Sequence, residues 1–397
     1  MKMPLTGAVF AIYLGALAAL PPLSTDMALP ALTRIGADLH ADSSLAGLTL
    51  SLFMAGFALS PFVYGPLSDR HGRRPLLLLG LVLFTVGGLC AALAPSMTLL
   101  LSARLLQGLG AGAGMTLAMA MVRDAFEGTR VHQRLAVITV VANVAPIIAP
   151  AMGAALLGVL GWRGIYGATA LCGLVLWVMT WLALSETAQR PTPAKVAATG
   201  GVLQGYGQVF RHWPTLAHVL LNALAFGWMF AYVAGSPMVL IGQLQVSSAL
   251  YTLLFACTGA GIVGGATLSG WLARRGIAMG RLMQVACVVA LLATAAATAL
   301  AWVGEVSVLR LMPLMVLATA AFGMIAPCAA HGALDPLPNL AGITGGLLTS
   351  LQMAAGALSS LVVSLAFGHW GVAGMTLTML ACAALALPLV LTLRRAD

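Results

Sequence analysis

Two ionisable side chains stand where hydrocarbon is expected on both sides of them. Asp26, in Leu23-Ser24-Thr25-Asp26-Met27-Ala28-Leu29-Pro30, comes about twenty residues into the first apolar run. Keeping an acid ionised inside a span costs roughly 2.5–3.5 kcal/mol on insertion scales, so such a group is a natural carrier of a proton. The other reading is an interfacial acid near the outer end of the first helix. Arg104, in Arg104-Leu105-Leu106-Gln107-Gly108-Leu109-Gly110, lies about two turns into the fourth apolar run. A guanidinium does not lose its charge, so it needs carbonyls, a carboxylate or a polar ligand around it. It could help Asp26 discharge its proton, or be a structural arginine reaching for the outer interface.

A third constellation joins the second and third apolar runs: Gly65-Pro66-Leu67-Ser68-Asp69-Arg70-His71-Gly72-Arg73-Arg74, with four strong charges between positions 69 and 74. Gly65 and Gly72 suit a sharp turn, and the arginines mark the side of a membrane that retains positive charge. Asp124, at the same end of the fourth run, is placed to pair with these arginines. Together Gly65, Asp69, Arg70, Gly72, Arg73 and Asp124 form a candidate conformational gate. An exposed pair would contribute only about 0–1 kcal/mol, so the gate needs partial burial to hold.

The elements that position these groups follow from composition. Of 397 residues, 61% are hydrophobic and 7% charged, and the mean hydropathy is +1.01. Such a chain is an integral membrane protein. Taking about twenty apolar residues per crossing, spans fall near 5–29, 44–67, 74–94, 97–122, 134–159, 163–184, 214–241, 248–272, 278–302, 307–330, 341–366 and 371–393. The net charge of +9 reports topology rather than nucleic-acid binding, because the basic residues are scattered between apolar runs. With both termini cytoplasmic, the great majority of Lys and Arg fall inside, and only Arg34, Arg163 and Arg310 fall outside. The expected fold is all-α, with twelve transmembrane helices in two pseudo-symmetric six-helix bundles. The expected organisation is an N-terminal lobe 1–184, a flexible cytoplasmic linker 185–213 and a C-terminal lobe 214–397. The halves echo each other faintly, Arg70-His71-Gly72 recurring as Arg274-Arg275-Gly276 and Arg104 as Arg310.

Span 5 carries Ala145, Ala149 and Gly153 at intervals of four with Pro146 and Pro150 interleaved, and span 8 carries Ala256, Ala260 and Gly264. Small residues on one stripe let helices approach closely, and the prolines bend the helix. Pro146, Pro150 and Gly153 therefore join the candidate gate as a hinge, with plain helix packing as the other reading. For a substrate cavity the candidates are Asn143, Asn222, Phe226, Phe230, Tyr232, Tyr251 and Gln352, aromatic bulk with a few polar anchors. The same aromatics would equally suit a lipid-facing surface. The six cysteines fall in apolar runs with no Cys-x-x-Cys pair, which suggests inert buried thiols and no metal site. No phosphate-binding loop of the form G-x-x-x-x-G-K-[ST] occurs, and no cofactor is expected. His331 and Asp335 are too isolated to suggest a membrane enzyme.

The hairpin motif resembles the G-x-L-x-D-R-x-G-R-R signature of the major facilitator superfamily, and Arg104 to Gly110 resembles its R-x-x-Q-G-x-G pattern. Within that superfamily, Thr25 to Leu32, Gly161 to Tyr166 and Ala231 to Pro237 resemble the bicyclomycin and chloramphenicol resistance exporters. The resemblance covers essentially the whole chain. It implies a drug/proton antiporter of the inner membrane, with coupling on Asp26 and the buried-arginine role on Arg104; a two-lobed fold encloses its own pathway, so a functional monomer is expected. The antiporter motif G-P-x-x-G-G reads Ala149-Pro150-Ala151-Met152-Gly153-Ala154 here, with two glycines replaced by alanine. Ala28 stands where that branch usually has an aromatic. Substrates and partners would then be small amphipathic, amphenicol-like or bicyclomycin-like compounds, protons and the lipid bilayer. A proton symporter or facilitator of a small metabolite would use the same fold.

Overall fold

A computed structural model describes residues 8–126, 129–187 and 202–393. Its described residues are overwhelmingly helical, and intrahelical bonding is one of the two ways, with the closed β-barrel, in which a chain in lipid satisfies every backbone polar group. The helices are α1 (Ala8–Asp26), a 3-10 turn (Leu29–Ala31), α2 (Leu32–Asp38), α3 (Ser43–His71), α4 (Arg73–Ala92) and α5 (Met97–Ala125). The stretch Thr129–Ala183 is helical on both sides of Gly161, whose φ of 67° and ψ of −175° break it into α6 (129–160) and α7 (162–183). Then follow α8 (Val202–Arg211), α9 (Trp213–Pro237) with a π-helical turn Met238–Gln243, α10 (Ser248–Arg274), α11 (Met279–Val303), α12 (Val308–Leu334), α13 (Ala341–Trp370) and α14 (Val372–Leu393).

Eleven described stretches are long and apolar enough to cross a membrane, and one of them, Val144–Ala183, runs for 40 residues. A straight helix of that length would be about 60 Å long, twice the hydrocarbon thickness. With the break at Gly161 it makes two crossings, which brings the total to the twelve expected. Starts are marked by side-chain caps: Ser96 Oγ accepts from Leu99 N–H and Ser247 Oγ from Leu250 N–H, each satisfying one of a helix's orphan donors.

The chain divides into two compact units, Met1–Ile35 with Leu52–Gly201, and Gly36–Ser51 with Val202–Asp397. In the first unit α4 packs on α5, and α1 packs on α5 and α6. In the second, α9 is the central helix, meeting α8, α12, α13 and α14. Of the expected linker, 188–201 lie outside the described residues, but Val202–Arg211 is a helix rather than open chain. Its Tyr206 and Val209 pack with Val219, Ala333, Leu340 and Leu347 of the second unit. Burial there pushes the Tyr206 hydroxyl above its ordinary pKa.

Two local expectations are corrected. In α10 the packed small residues are Gly261, against Val316 and Thr319, and Gly265, against the Ala320 carbonyl. Ala260 and Gly264 face outward. The cysteines are all free, but Cys172 and Cys257 are exposed. Both errors have one cause: a helix apolar all round carries no amphipathic signal to fix its rotation when the outer solvent is itself apolar.

The Gly161 conformation lies in a region that is essentially restricted to glycine, although a Cβ there would meet nothing within 4 Å. Gly161→Ala should therefore destabilise the purified protein by about 1–3 kcal/mol from the backbone alone. Gly158→Ala, equally open but in ordinary helix, should be neutral or slightly stabilising. Thermal unfolding of the two variants in one detergent checks the contrast.

Candidate functional site

The first helix does not cross in one piece. Pro21 and Pro22 lie inside α1 and remove two backbone donors. Thr25 Oγ1 turns back onto the carbonyls of Pro21 and Pro22 at 3.1 and 3.2 Å, a local bond that competes with continued helix. The helix stops at Asp26, and the chain passes through a turn at Met27 and Ala28 before the 3-10 turn. Asp26 is 6% exposed and belongs to none of the ion pairs among the described residues. The helical stretch Val9–Asp38 continues past it, so the carboxyl sits at a break in that stretch.

The break is held from outside by α6. Gly153 faces the carbonyl of Met27 so closely that a Cβ would overlap it, and Ala145 and Ala149 on the same stripe are buried. The small-residue stripe of span 5 thus abuts the residue next to Asp26, with Pro146 and Pro150 in the same helix. The side chain of Asn143 lies outside the described residues.

Arg104 is fully buried. Its Nη1 donates to Ser24 Oγ at 2.9 Å and to Gln107 Oε1 at 2.5 Å. Gln107 Nε2 in turn donates to Thr169 Oγ1 at 3.1 Å, and Thr169 donates to the Tyr166 carbonyl at 2.9 Å. The guanidinium carbon lies 4.3 Å from the Phe53 ring centroid and 5.3 Å from that of Tyr166. Arg104 therefore holds α1, α3, α5 and α7 together through hydrogen bonds and cation–π contacts. It binds Ser24, two residues from Asp26, and forms no ion pair with Asp26 itself.

At the charged hairpin, Arg73 Nη1 meets Asp69 Oδ1 at 2.6 Å and Arg73 Nε meets Asp124 Oδ2 at 2.9 Å. Arg73 also donates to Ser68 Oγ at 2.5 Å. Its side chain is 13% exposed and that of Asp124 17%, so this pair is not an open surface bridge. Glu186, just beyond α7, accepts from the backbone N–H groups of Arg73 at 2.8 Å and Arg74 at 3.2 Å. A carboxylate thus caps the positive end of α4, after Gly72 turns the chain at φ 96°. Arg70 is exposed, and a Cβ on Gly65 would meet nothing within 4 Å.

In the second unit, the candidate cavity residues form two groups. Phe226 stacks on Phe230 at 5.4 Å and meets Phe322 edge-on at 5.9 Å. One turn away, Asn222 Nδ2 donates to Gln352 Oε1 at 3.2 Å. Higher on α9, Tyr232 stacks on Phe255 at 6.3 Å and Tyr251 lies 6.0 Å from the same ring. Ser236 Oγ and Tyr251 Oη are 3.1 Å apart. The rings, Asn222 and Ser236 are buried, and Gln352 is half-buried.

Sequence reasoning missed Ser24, Thr169, Glu186, Phe255 and Phe322, and gave Gln107 no role beyond its place in a motif. Gln107 was within reach, being three residues after a buried arginine on one helix face. The others meet their partners only through tertiary packing.

A family model described as Major Facilitator Superfamily matches residues 14–360. An uncharacterized MFS-type transporter of Bacillus subtilis, YdgK, is 32% identical over 361 residues, 89% of this chain and 88% of that one. The multidrug resistance protein MdtM of Salmonella typhimurium is 36% identical over 219 residues, 55% of this chain and 52% of its own, so that alignment spans about half of each. A crystal structure of a bacterial homologue of the human lysosomal transporter Spinster superposes with a TM-score of 0.76, covering 98% of this chain and 97% of that one at 16% identity. At that identity the likeness is one of fold.

Two variants should separate the buried network from the exposed cap. Gln107→Leu leaves Arg104 and Thr169 short of a partner in a dry site and should cost about 1–3 kcal/mol. Glu186→Ala removes a cap and should cost about 1 kcal/mol. Thermal unfolding should rank the two in that order, with added salt weakening only the effect of Glu186→Ala.

Proposed function

The chain belongs to the Major Facilitator Superfamily, and from that premise we propose that it exports small amphipathic compounds in exchange for protons, by alternating access across the inner membrane with both termini cytoplasmic. That it is a multi-pass membrane transporter rests on the family and the fold; the rest of the reading rests on one observation. Asp26 is a buried carboxyl, at a break in the helical stretch Val9–Asp38, that joins no ion pair among the described residues. Ionised, it is costly in apolar surroundings; protonated, it is not. Such a group changes the charge of the first unit by one when a proton arrives or leaves.

Arg104 is the fixed charge of the first unit, bound to Ser24 two residues from Asp26 on the same helix. In this reading the Arg104–Ser24 bond transmits movement of the broken segment, and departure of the proton from Asp26 brings an attractive charge near the guanidinium. The Asp69–Arg73–Asp124 cluster and Glu186 keep the charged ends of α3, α4 and α5 together as the first unit moves. The aromatic and amide groups of α9, with Phe322 and Gln352, supply a surface for an amphipathic substrate: apolar faces with a few hydrogen-bonding edges. The name of the multidrug resistance protein MdtM supports drugs as that substrate class; amphenicol-like and bicyclomycin-like compounds are the members we propose. One proton moving down 100 mV contributes about 2.3 kcal/mol, and each pH unit adds about 1.4, enough for well over a tenfold substrate gradient. A proton symporter or facilitator of a small metabolite is the second reading, supported as much as antiport is by an Asp26 that joins no ion pair among the described residues.

Inside-out vesicles with an acidic lumen and a pH-sensitive dye separate the readings. Addition of amphenicols should release protons from the lumen, and Asp26→Asn should abolish the release while leaving drug binding to the purified protein within about threefold. Release that persists in Asp26→Asn would place coupling elsewhere. Binding without release in the unaltered protein would favour the facilitator.

A further inference from the structure

The first unit contains a cavity of about 70 Å³ between α1, α4, α6 and α7. Leu23 and Met27 line it from the first helix and its break, Phe84 from α4, Met152 from α6, and Thr169 and Cys172 from α7. Its depth is buried: Phe84 is 0%, Met27 3% and Thr169 3% exposed. Its mouth is not, since Met152 is 44% exposed and Cys172 is exposed as well. Both mouth residues belong to the apolar stretch Val144–Ala183, so the medium at the opening is lipid.

Water has little reason to enter. A buried water needs two to four polar partners, and the cavity wall is apolar. Its one deep hydroxyl, on Thr169, already accepts from Gln107 and donates to the Tyr166 carbonyl. The volume would hold roughly five water- or methylene-sized groups. An apolar pocket that opens on hydrocarbon and offers no free polar group selects hydrocarbon.

We propose that this crevice takes the end of a phospholipid acyl chain from the surrounding bilayer. The chain end rests on Met27, the residue that follows Asp26 and abuts Gly153, and on Thr169, the far end of the Arg104–Gln107 chain. Bilayer composition thereby acts directly on the two residues flanking the candidate coupling site. The inference requires only that the chain spans a bilayer, so it stands apart from proton-coupled export.

The test uses the full chain in vesicles of phosphatidylethanolamine and phosphatidylglycerol, with a trace of phosphatidylcholine carrying a diazirine at the tail end. After photolysis, adducts are mapped by mass spectrometry. Leu253 and Leu292, 61% and 64% exposed, report labelling by bulk lipid. Labelling at the buried Met27 and Thr169 should reach at least a third of that at the two leucines. Ala168→Leu, which places bulk in the cavity wall, should reduce it at least fivefold with the leucines unchanged. Met152→Ala, which trims the mouth, should raise it about twofold. Labelling confined to exposed positions would overturn the proposal, as would Met27 labelling that Ala168→Leu and Met152→Ala leave unaltered.

Discussion

A guanidinium that cannot shed its charge has been enclosed in the interior of the first unit. Its burial is tolerable only if donors are matched by acceptors and the positive charge meets polarisable faces. Ser24 and Gln107 accept from its Nη1, and the rings of Phe53 and Tyr166 face its charge. Because these residues come from four different helices, satisfying one side chain fixes the mutual rotation of all four. Lipid supplies no hydrophobic force to do so, since helix exteriors and tails are equally apolar.

That constraint explains why the break in the first helix is tolerated. Helix interruption strands backbone groups, and in hydrocarbon these must be covered by protein. Here the Thr25 hydroxyl donates back to the Pro21 and Pro22 carbonyls, Arg104 holds Ser24 just before the break, and Gly153 brings α6 against Met27 just after it. The carboxyl of Asp26 is thus presented at a point of local irregularity between two fixed points.

What the sequence disclosed followed the physics of each signal. Hydropathy located the crossings because lipid imposes a length and a polarity on every one, and Gly161 could be read as the corner between two of them. Asp26 and Arg104 stood out because ionisable groups are expensive in apolar runs. The Arg73–Asp124 contact was legible from charges at the same membrane face. The packed face of α10 was not, since Ala256, Ala260 and Gly264 compete with Gly261 and Gly265 and nothing polar breaks the tie. Nor was the cap by Glu186, which depends on α7 ending beside the start of α4. The helix Val202–Arg211 was masked by its glycines, whose cost is offset by packing of Tyr206 and Val209 on the second unit.

The contact between Gly153 and the Met27 carbonyl differs in kind from those around Phe226. At the first, main chain faces the site where a side chain would begin, and no substitution fits without moving a helix. At the second, rings face rings and amides face amides, so a changed side chain can be met by a changed neighbour. Divergence among descendants of this chain should therefore accumulate unevenly. Under the proposed function, the coupling machinery around the first helix is frozen by geometry while the proposed recognition surface on α9 is free to drift, so new chemical targets can be acquired without disturbing how the energy for moving them is captured.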